Sequence, residues 1–113
     1  IGLGINGLEH MRNTFHEGRA TIKGVYDSEP LSVAAAQEQF RQFVTDRDLV
    51  VYDSVATCCS DPDVDGIIIA TPNYTHIDLV RDMRESGKHL LLEKPMATTI
   101  TDAWEIEIGR AHV

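Results

Sequence analysis

Three glycines open the chain at a spacing suited to holding phosphate. Gly2, Gly4 and Gly7, within Ile1-Gly2-Leu3-Gly4-Ile5-Asn6-Gly7, form G-x-G-x-x-G. In such a turn the first glycine permits the tight bend, the second lets backbone approach a pyrophosphate, and the third allows close helix-to-strand packing. The helix that follows would aim N–H groups and a partial positive charge at the phosphates, with Ile5 and Asn6 on its rim. The glycine spacing alone is weak evidence, but the context adds to it. Val25-Tyr26-Asp27 ends the next strand candidate, and Asp27 lies 20 residues beyond Gly7. A carboxylate there can accept both ribose hydroxyls of an adenosine half and repel a 2′-phosphate, so the expected cofactor is NAD rather than NADP. Ser28, next in the chain, is placed in the same ribose pocket. The plainer alternative makes Asp27 a turn or capping residue ahead of Ser28 and Pro30.

Two further strand candidates end in polar clusters. After Ile69-Ala70 comes Thr71-Pro72-Asn73-Tyr74-Thr75-His76, and after Leu91-Leu92 comes Glu93-Lys94-Pro95. Ligands of open parallel sheets bind outside the carboxyl ends of the strands, so both clusters belong on the same edge as the glycine turn.

The elements that must position these residues alternate short β-type runs with longer helical stretches, the signature of βαβ units and a parallel sheet. The fold class is therefore α/β, a doubly wound (Rossmann) parallel sheet. Strands are expected over Thr21–Tyr26, Val50–Tyr52, Gly66–Ala70 and His89–Leu92, where aliphatic residues run nearly continuously, as in strands covered on both faces. Helices are expected over Leu8–Glu17, stopped near Gly18, and from Ser28 as N-cap toward Val44, with a core face of Val33, Ala36, Phe40 and Phe43. Others span Val55–Cys59 and Thr75–Ser86, the latter burying Ile77, Val80 and Met83 with Gly87 at C′. Asn73 and Thr75 compete to cap that helix. A last helix starts near Thr99 or Thr101. No strand precedes the glycine turn, so the body of the first strand, central in the order 3-2-1-4-5-6, is expected to lie outside this chain.

Composition removes several classes of function. The 113 residues carry 10 Lys plus Arg against 18 Asp plus Glu, a net charge of −8, which repels nucleic-acid backbones and anionic lipid. The longest apolar runs fall far short of the roughly 20 residues that span a bilayer. Cys58 and Cys59 are the only cysteines and adjacent, which offers neither a disulfide framework nor a spaced metal knuckle. His10, His16 and His89 show no metal-ligand spacing, so no metal is expected. A cytoplasmic location is expected.

The glycine turn, the strand-end Asp27, the run Asp63-Val64-Asp65-Gly66-Ile67-Ile68-Ile69-Ala70-Thr71-Pro72-Asn73-Tyr74-Thr75-His76 and the triplet Glu93-Lys94-Pro95 together resemble the Gfo/Idh/MocA oxidoreductase family. The resemblance covers Ile1 to about Glu107. It implies an NAD-binding Rossmann domain followed by a separate α/β domain that completes a sugar or polyol site and supports homo-oligomerisation. Thr71, Pro72 and Asn73 would line the dinucleotide cleft, with His76 starting the adjacent helix, and Glu93 would lie near the nicotinamide ribose. Lys94 would hydrogen-bond the reacting hydroxyl and stabilise developing alkoxide charge. Pro95, with a cis peptide bond before it by analogy, would fix the turn that aims Lys94. The plainer alternatives are a solvated Lys94 with Glu93 as its ion-pair neighbour, and a His76 with no ligand role.

The resemblance implies hydride transfer between nicotinamide and a CH–OH carbon of a sugar, inositol or related polyol. Its main acid/base pair, an aspartate and a histidine three or four residues apart, would lie in the second domain, so this chain alone should bind NAD weakly and turn over nothing. A non-catalytic NAD-binding sensor or structural module is the alternative reading. The domain is expected to occupy residues 1–107. The hexapeptide Ile108-Gly109-Arg110-Ala111-His112-Val113 resembles one reading frame of a short-read sequencing adapter and is expected to be non-native; a genuine helix end at Gly109 is the other possibility.

Overall fold

The computed structural model describes residues 1–111. Its elements alternate as the hydrophobic pattern requires: α1 (Ile5–Glu17), β1 (Gly24–Val25), α2 (Pro30–Phe43), β2 (Val50–Val51), α3 (Val55–Ser60), β3 (Gly66–Ile69), a 3-10 turn over Asn73–Thr75, α4 (His76–Met83), β4 (His89–Leu92) and α5 (Ile100–Ala111). β1 pairs with β2 in parallel, Gly24 opposite Val50 and Val25 opposite Val51. β3 pairs with β4 in parallel, from Gly66 opposite His89 to Ile69 opposite Leu92. Parallel pairing with intervening helices is the βαβ arrangement expected from the sequence.

Residues 1 and 2 join the two pairs. The Ile1 nitrogen donates to the Ile68 carbonyl at 2.8 Å. The Ala70 N–H donates to the Ile1 carbonyl at 2.8 Å, and the Gly2 N–H donates to the Tyr26 carbonyl at 3.1 Å. The spatial order is thus β2, β1, residues 1–2, β3, β4, with the glycine turn at the centre of a doubly wound sheet. Alongside these two residues a cleft of about 990 Å³ opens between the pairs, with Lys23, Gly24, Val25, Ile67 and Ile68 among its walls. The expected strand Thr21–Tyr26 is realised only at Gly24–Val25, and Val50–Tyr52 only at Val50–Val51. A ladder ends where its partner ends, and β1 has a full partner on one side only.

Two apolar clusters follow the same division. Leu3, Met11, Val25, Ala36, Phe40 and Leu49 form one, with Leu8, Phe15 and Val33 packed against it. Cys58, Ile67, Ile69 and Met83 form the other, joined by Val80 and Leu90. Phe43, expected in the core, is 41% exposed and instead stacks on Phe15 at 4.6 Å between ring centroids. It sits on the last residue of α2, past the point where that helix meets the sheet. Ile77 is half-buried and Val80 half-buried, while Met83 is fully buried.

Helix ends differ from the sequence expectations for identifiable reasons. α1 begins at Ile5 rather than Leu8, because Gly4 takes the N-cap position and the remaining glycine turn is already helical. The N-cap of α2 is Glu29 rather than Ser28; Pro30 occupies the first helical position, and the Glu29 carboxylate accepts the Leu31 N–H. Of Asn73 and Thr75, Thr75 takes the N-cap position of α4, though its side chain makes no capping bond there and the helix is entered through the 3-10 turn. α4 ends at Met83, and Gly87 lies beyond a tightened turn in which the Ser86 N–H donates to the Met83 carbonyl at 2.9 Å. Of the two threonines at the last helix, Thr99 is the cap, its Oγ1 accepting the Asp102 N–H at 3.1 Å. α5 continues through residues 108–111, part of the hexapeptide expected to be non-native. His112 and Val113 lie outside the described residues.

Candidate functional site

The glycine turn is built by close approach. Gly2 has φ +88°, in the left-handed region that favours glycine, and a Cβ there would come within 2.7 Å of the Ala70 and Thr71 backbone. A Cβ on Gly7 would meet the Gly2 carbonyl oxygen at 1.9 Å. Gly4 is different: a Cβ there would meet nothing within 4 Å. The space outside Gly4 is open, and Ile5 beside it is 90% exposed. No side chain caps α1, and its first bond is from the Leu8 N–H to the Gly4 carbonyl at 3.0 Å. The N–H groups of Ile5, Asn6 and Gly7 therefore have no partner within the helix, at a turn where Gly4, Ile5 and Asn6 are exposed and Gly7 is buried. This cradle fits a pyrophosphate: uncapped N–H donors, a helix N-terminus, and no side chain at the position of closest approach.

Asp27 comes to the same place from the end of β1. Its Oδ2 accepts the Leu3 N–H at 2.7 Å, and its Oδ1 accepts the Glu29 N–H at 2.8 Å. An ionised carboxylate has about four acceptor positions, so two remain for hydroxyl donors. Asp27 thus orders the turn before α2, as the plainer reading expects, and its remaining lone pairs lie beside the glycine turn. Ser28 is exposed next to it.

The third segment, Thr71-Pro72-Asn73, leaves β3 directly against Gly2. Thr75 Oγ1 donates to the Pro72 carbonyl at 2.6 Å and lies 2.7 Å from Thr71 Oγ1, which fixes the entry to the 3-10 turn. Asn73 is half-buried and Pro72 exposed. His76 is 1% exposed. Its Nε2 lies 3.0 Å from the Thr71 carbonyl and its Nδ1 3.2 Å from the Met96 carbonyl, so the ring is wedged between two loops, donating to one of these carbonyls as a neutral imidazole and to both as an imidazolium.

The fourth segment follows β4. The Glu93 N–H donates to the Ile69 carbonyl at 2.9 Å, extending the sheet to the site edge. The Lys94–Pro95 peptide bond is cis, as the resemblance implied. Lys94 is exposed, and no ion pair holds its ammonium among the described residues. Its backbone N–H donates to Glu93 Oε1 at 3.2 Å. Glu93 Oε2 lies 2.6 Å from His10 Nε2. The His10 contact, followed by the Lys94 N–H, holds the Glu93 carboxyl below the usual carboxylate range.

His10 is the site-edge residue that sequence reasoning missed. Its partner is 83 residues away in the chain. The available signal was its position one helical turn beyond Gly7, which puts it on the face of α1 that looks toward the sheet edge.

Other polar groups hold elements together. Tyr52 donates to Asp61 Oδ2 at 2.6 Å, and burial with that bond pushes the Tyr52 hydroxyl pKa well up. Burial likewise raises the thiols of Cys58 and Cys59, which are free. Among the described residues no group of three or more His, Cys, Asp or Glu could hold a metal ion, and no helix is long and apolar enough to cross a membrane.

Known proteins resemble this chain in sequence and fold. The family model described as "Oxidoreductase family, NAD-binding Rossmann fold" matches residues 1–107. A "Glycosyl hydrolase family 109 protein" of Shewanella pealeana is 31% identical over 113 residues, covering 94% of this chain and 24% of the relative. An NAD-binding protein from Listeria innocua superposes with a TM-score of 0.83 at 29% identity, over 98% of this chain and 30% of that one. The WlbA dehydrogenase of Chromobacterium violaceum, solved with NADH and UDP-GlcNAcA, superposes with a TM-score of 0.83 at 27% identity, over 98% of this chain and 30% of that one. The chain thus spans about a quarter to a third of the length of these relatives.

Proposed function

Because the chain belongs to the Gfo/Idh/MocA family of NAD-binding Rossmann oxidoreductases, we propose that it is the cofactor-binding part of a dehydrogenase. Its reaction would transfer hydride between nicotinamide and a CH–OH carbon of a sugar, inositol or related polyol. The observation that carries this reading is convergence: the glycine turn, Asp27, Thr71-Pro72-Asn73 and Glu93-Lys94-Pro95 meet on one sheet edge, joined by the Leu3–Asp27, His76–Thr71 and His10–Glu93 contacts.

NAD, when bound, supplies the hydride acceptor. The chain's own groups do the rest. The N–H groups of Ile5, Asn6 and Gly7 hold phosphate oxygens, and the Asp27 carboxylate accepts the adenosine ribose hydroxyls while repelling a 2′-phosphate. Ser28 borders that ribose, and Thr71, Pro72, Asn73 and His76 form the wall of the cleft. Glu93 orients the nicotinamide ribose, and Pro95 sets the direction of Lys94. The Lys94 ammonium donates to the oxygen of the reacting carbinol and stabilises negative charge as it develops there. Residues 1–107 form this domain; substrate groups and the acid/base pair belong to a second domain, through which the parent protein also forms a homo-oligomer.

The test is Lys94→Ala in a full-length protein carrying this domain. Loss of one charge-stabilising donor costs roughly 100- to 1,000-fold in turnover, with little change in NAD affinity measured by calorimetry. A variant that loses NAD affinity and keeps its turnover contradicts the role given to Lys94. An NAD-binding protein with no turnover on any polyol or sugar favours the sensor reading instead.

The name of the Shewanella relative supports a second reading, in which an NAD site serves glycoside cleavage, as it does in some glycosidases. Product analysis separates the two. A dehydrogenase accumulates NADH in step with oxidised product, whereas a glycosidase releases sugar with no net NADH.

A further inference from the structure

The turn that carries Lys94 is gripped from both sides by imidazoles on different helices. On one side His10, from the second turn of α1, places Nε2 2.6 Å from Glu93 Oε2, while Glu93 Oε1 accepts the Lys94 N–H at 3.2 Å. One carboxylate is thus shared between α1 and the backbone of the very next residue. On the other side His76, at the start of α4, meets the Met96 carbonyl at 3.2 Å and the Thr71 carbonyl at 3.0 Å. Glu93 and Met96 are the residues immediately flanking Lys94-Pro95.

We propose that His10 and His76 are positioning residues that clamp the two ends of the Lys94-Pro95 turn and so set where the Lys94 ammonium stands over the cofactor cleft. The inference rests on the dehydrogenase reading for what Lys94 does there. A lysine on a four-carbon stem is a mobile point charge, and its reach is defined only if its backbone is fixed. His76 supplies a buried anchor that also fixes the Thr71 loop, so both walls of the cleft share one ring. His10 supplies an anchor at the surface: its side chain is 29% exposed and that of Glu93 is 22% exposed. α1 packs in the Phe40 cluster, and β3 and β4 form the other. The His10–Glu93 contact therefore crosses between the halves of the sheet and aligns the glycine helix with the Lys94 turn. Neither imidazole needs to touch substrate or cofactor to do this.

The experiment uses His10→Leu and His10→Gln in the full-length protein, because His10 is accessible and its removal leaves both apolar clusters intact. A displacement near 1 Å at a reacting group costs on the order of 100-fold. His10→Leu is expected to lower kcat roughly 10- to 100-fold with NAD affinity little changed, to raise the isotope effect on hydride transfer, and to speed amide exchange at Glu93, Lys94 and Met96. His10→Gln, which keeps a donor near the Nε2 position, restores most of the rate. Unchanged kcat, a loss that resides wholly in NAD affinity, or a glutamine variant no better than leucine overturns the proposal. An unsubstituted protein that binds NAD and turns over no substrate overturns the dehydrogenase reading. The clamp then stands or falls on exchange at Glu93, Lys94 and Met96, and unchanged rates in His10→Leu overturn it. If His10→Leu lowers the melting temperature enough to confuse kinetics, amide exchange at Glu93, Lys94 and Met96, measured below its melting transition, decides instead, and rates equal to those of the unsubstituted protein overturn the proposal.

Discussion

Gly4 and Gly7 have different physical jobs in the same motif. A Cβ on Gly7 would lie 1.9 Å from the Gly2 oxygen, whereas a Cβ on Gly4 would stand in open space. Gly7→Ala should therefore damage the fold itself, lowering the melting temperature and removing NAD binding together. Gly4→Ala should cost at most about 1 kcal/mol, the value of a poorer cap, while blocking the phosphates from the backbone. Thermal melts and NAD titrations on both variants check this, and equal destabilisation by the two would contradict it. Asp27 carries a separate prediction. Hydrogen bonds to a charged group are worth about 1.5–3 kcal/mol each, so Asp27→Ala should weaken NAD roughly tenfold or more and narrow the preference over NADP. An unchanged preference, read from paired NAD and NADP titrations, would remove Asp27 from the ribose site. The glycines and Asp27 were legible because their signal is local in sequence. The His10–Glu93 contact was not, because it depends on how α1 sits on the sheet edge.

Among the elements, the hydrophobic pattern located each strand and helix, and β4 at His89–Leu92 coincides with its expected limits. Boundaries failed where tertiary context decides them. β1 and β2 are two residues each, shortened by limited pairing that no propensity encodes. The α2 pattern of Val33, Ala36, Phe40 and Phe43 gave the face but not its reach: Phe40 is 1% exposed and Phe43 41%. Phe40 also packs edge-tilted on Phe15 at 6.0 Å and under the Arg47 guanidinium at 5.0 Å. Phe40→Ala should cost about 3–5 kcal/mol, whereas Phe43→Ala forfeits mainly its stack on Phe15, about 0.5–1.5 kcal/mol. Denaturant unfolding of the two variants in the full-length protein measures the difference, and similar midpoints would show that α2 buries both rings alike.

The described residues form two parallel strand pairs with separate apolar clusters, joined at the sheet by the hydrogen bonds of residues 1 and 2, at the site edge by the His10–Glu93 contact, and at one margin by the Lys23–Asp63 ion pair at 3.3 Å. The Lys23–Asp63 pair is solvent-exposed and contributes little, and a cleft of about 990 Å³ lies along the seam. The 113-residue chain by itself should therefore melt broadly and at low temperature; a single sharp transition at high temperature, followed by circular dichroism, would contradict this. The −8 charge is compatible with a phosphate-binding turn, because attraction there comes from local N–H groups rather than net charge. Gly2 and Leu3 belong both to the seam and to the wall of the nucleotide turn. A dinucleotide resting on them spans the line along which the halves would part, and a ligand at a hundred times its Kd stabilises the bound state by about 2.7 kcal/mol. Bound nucleotide would therefore hold together the two halves of this 113-residue chain.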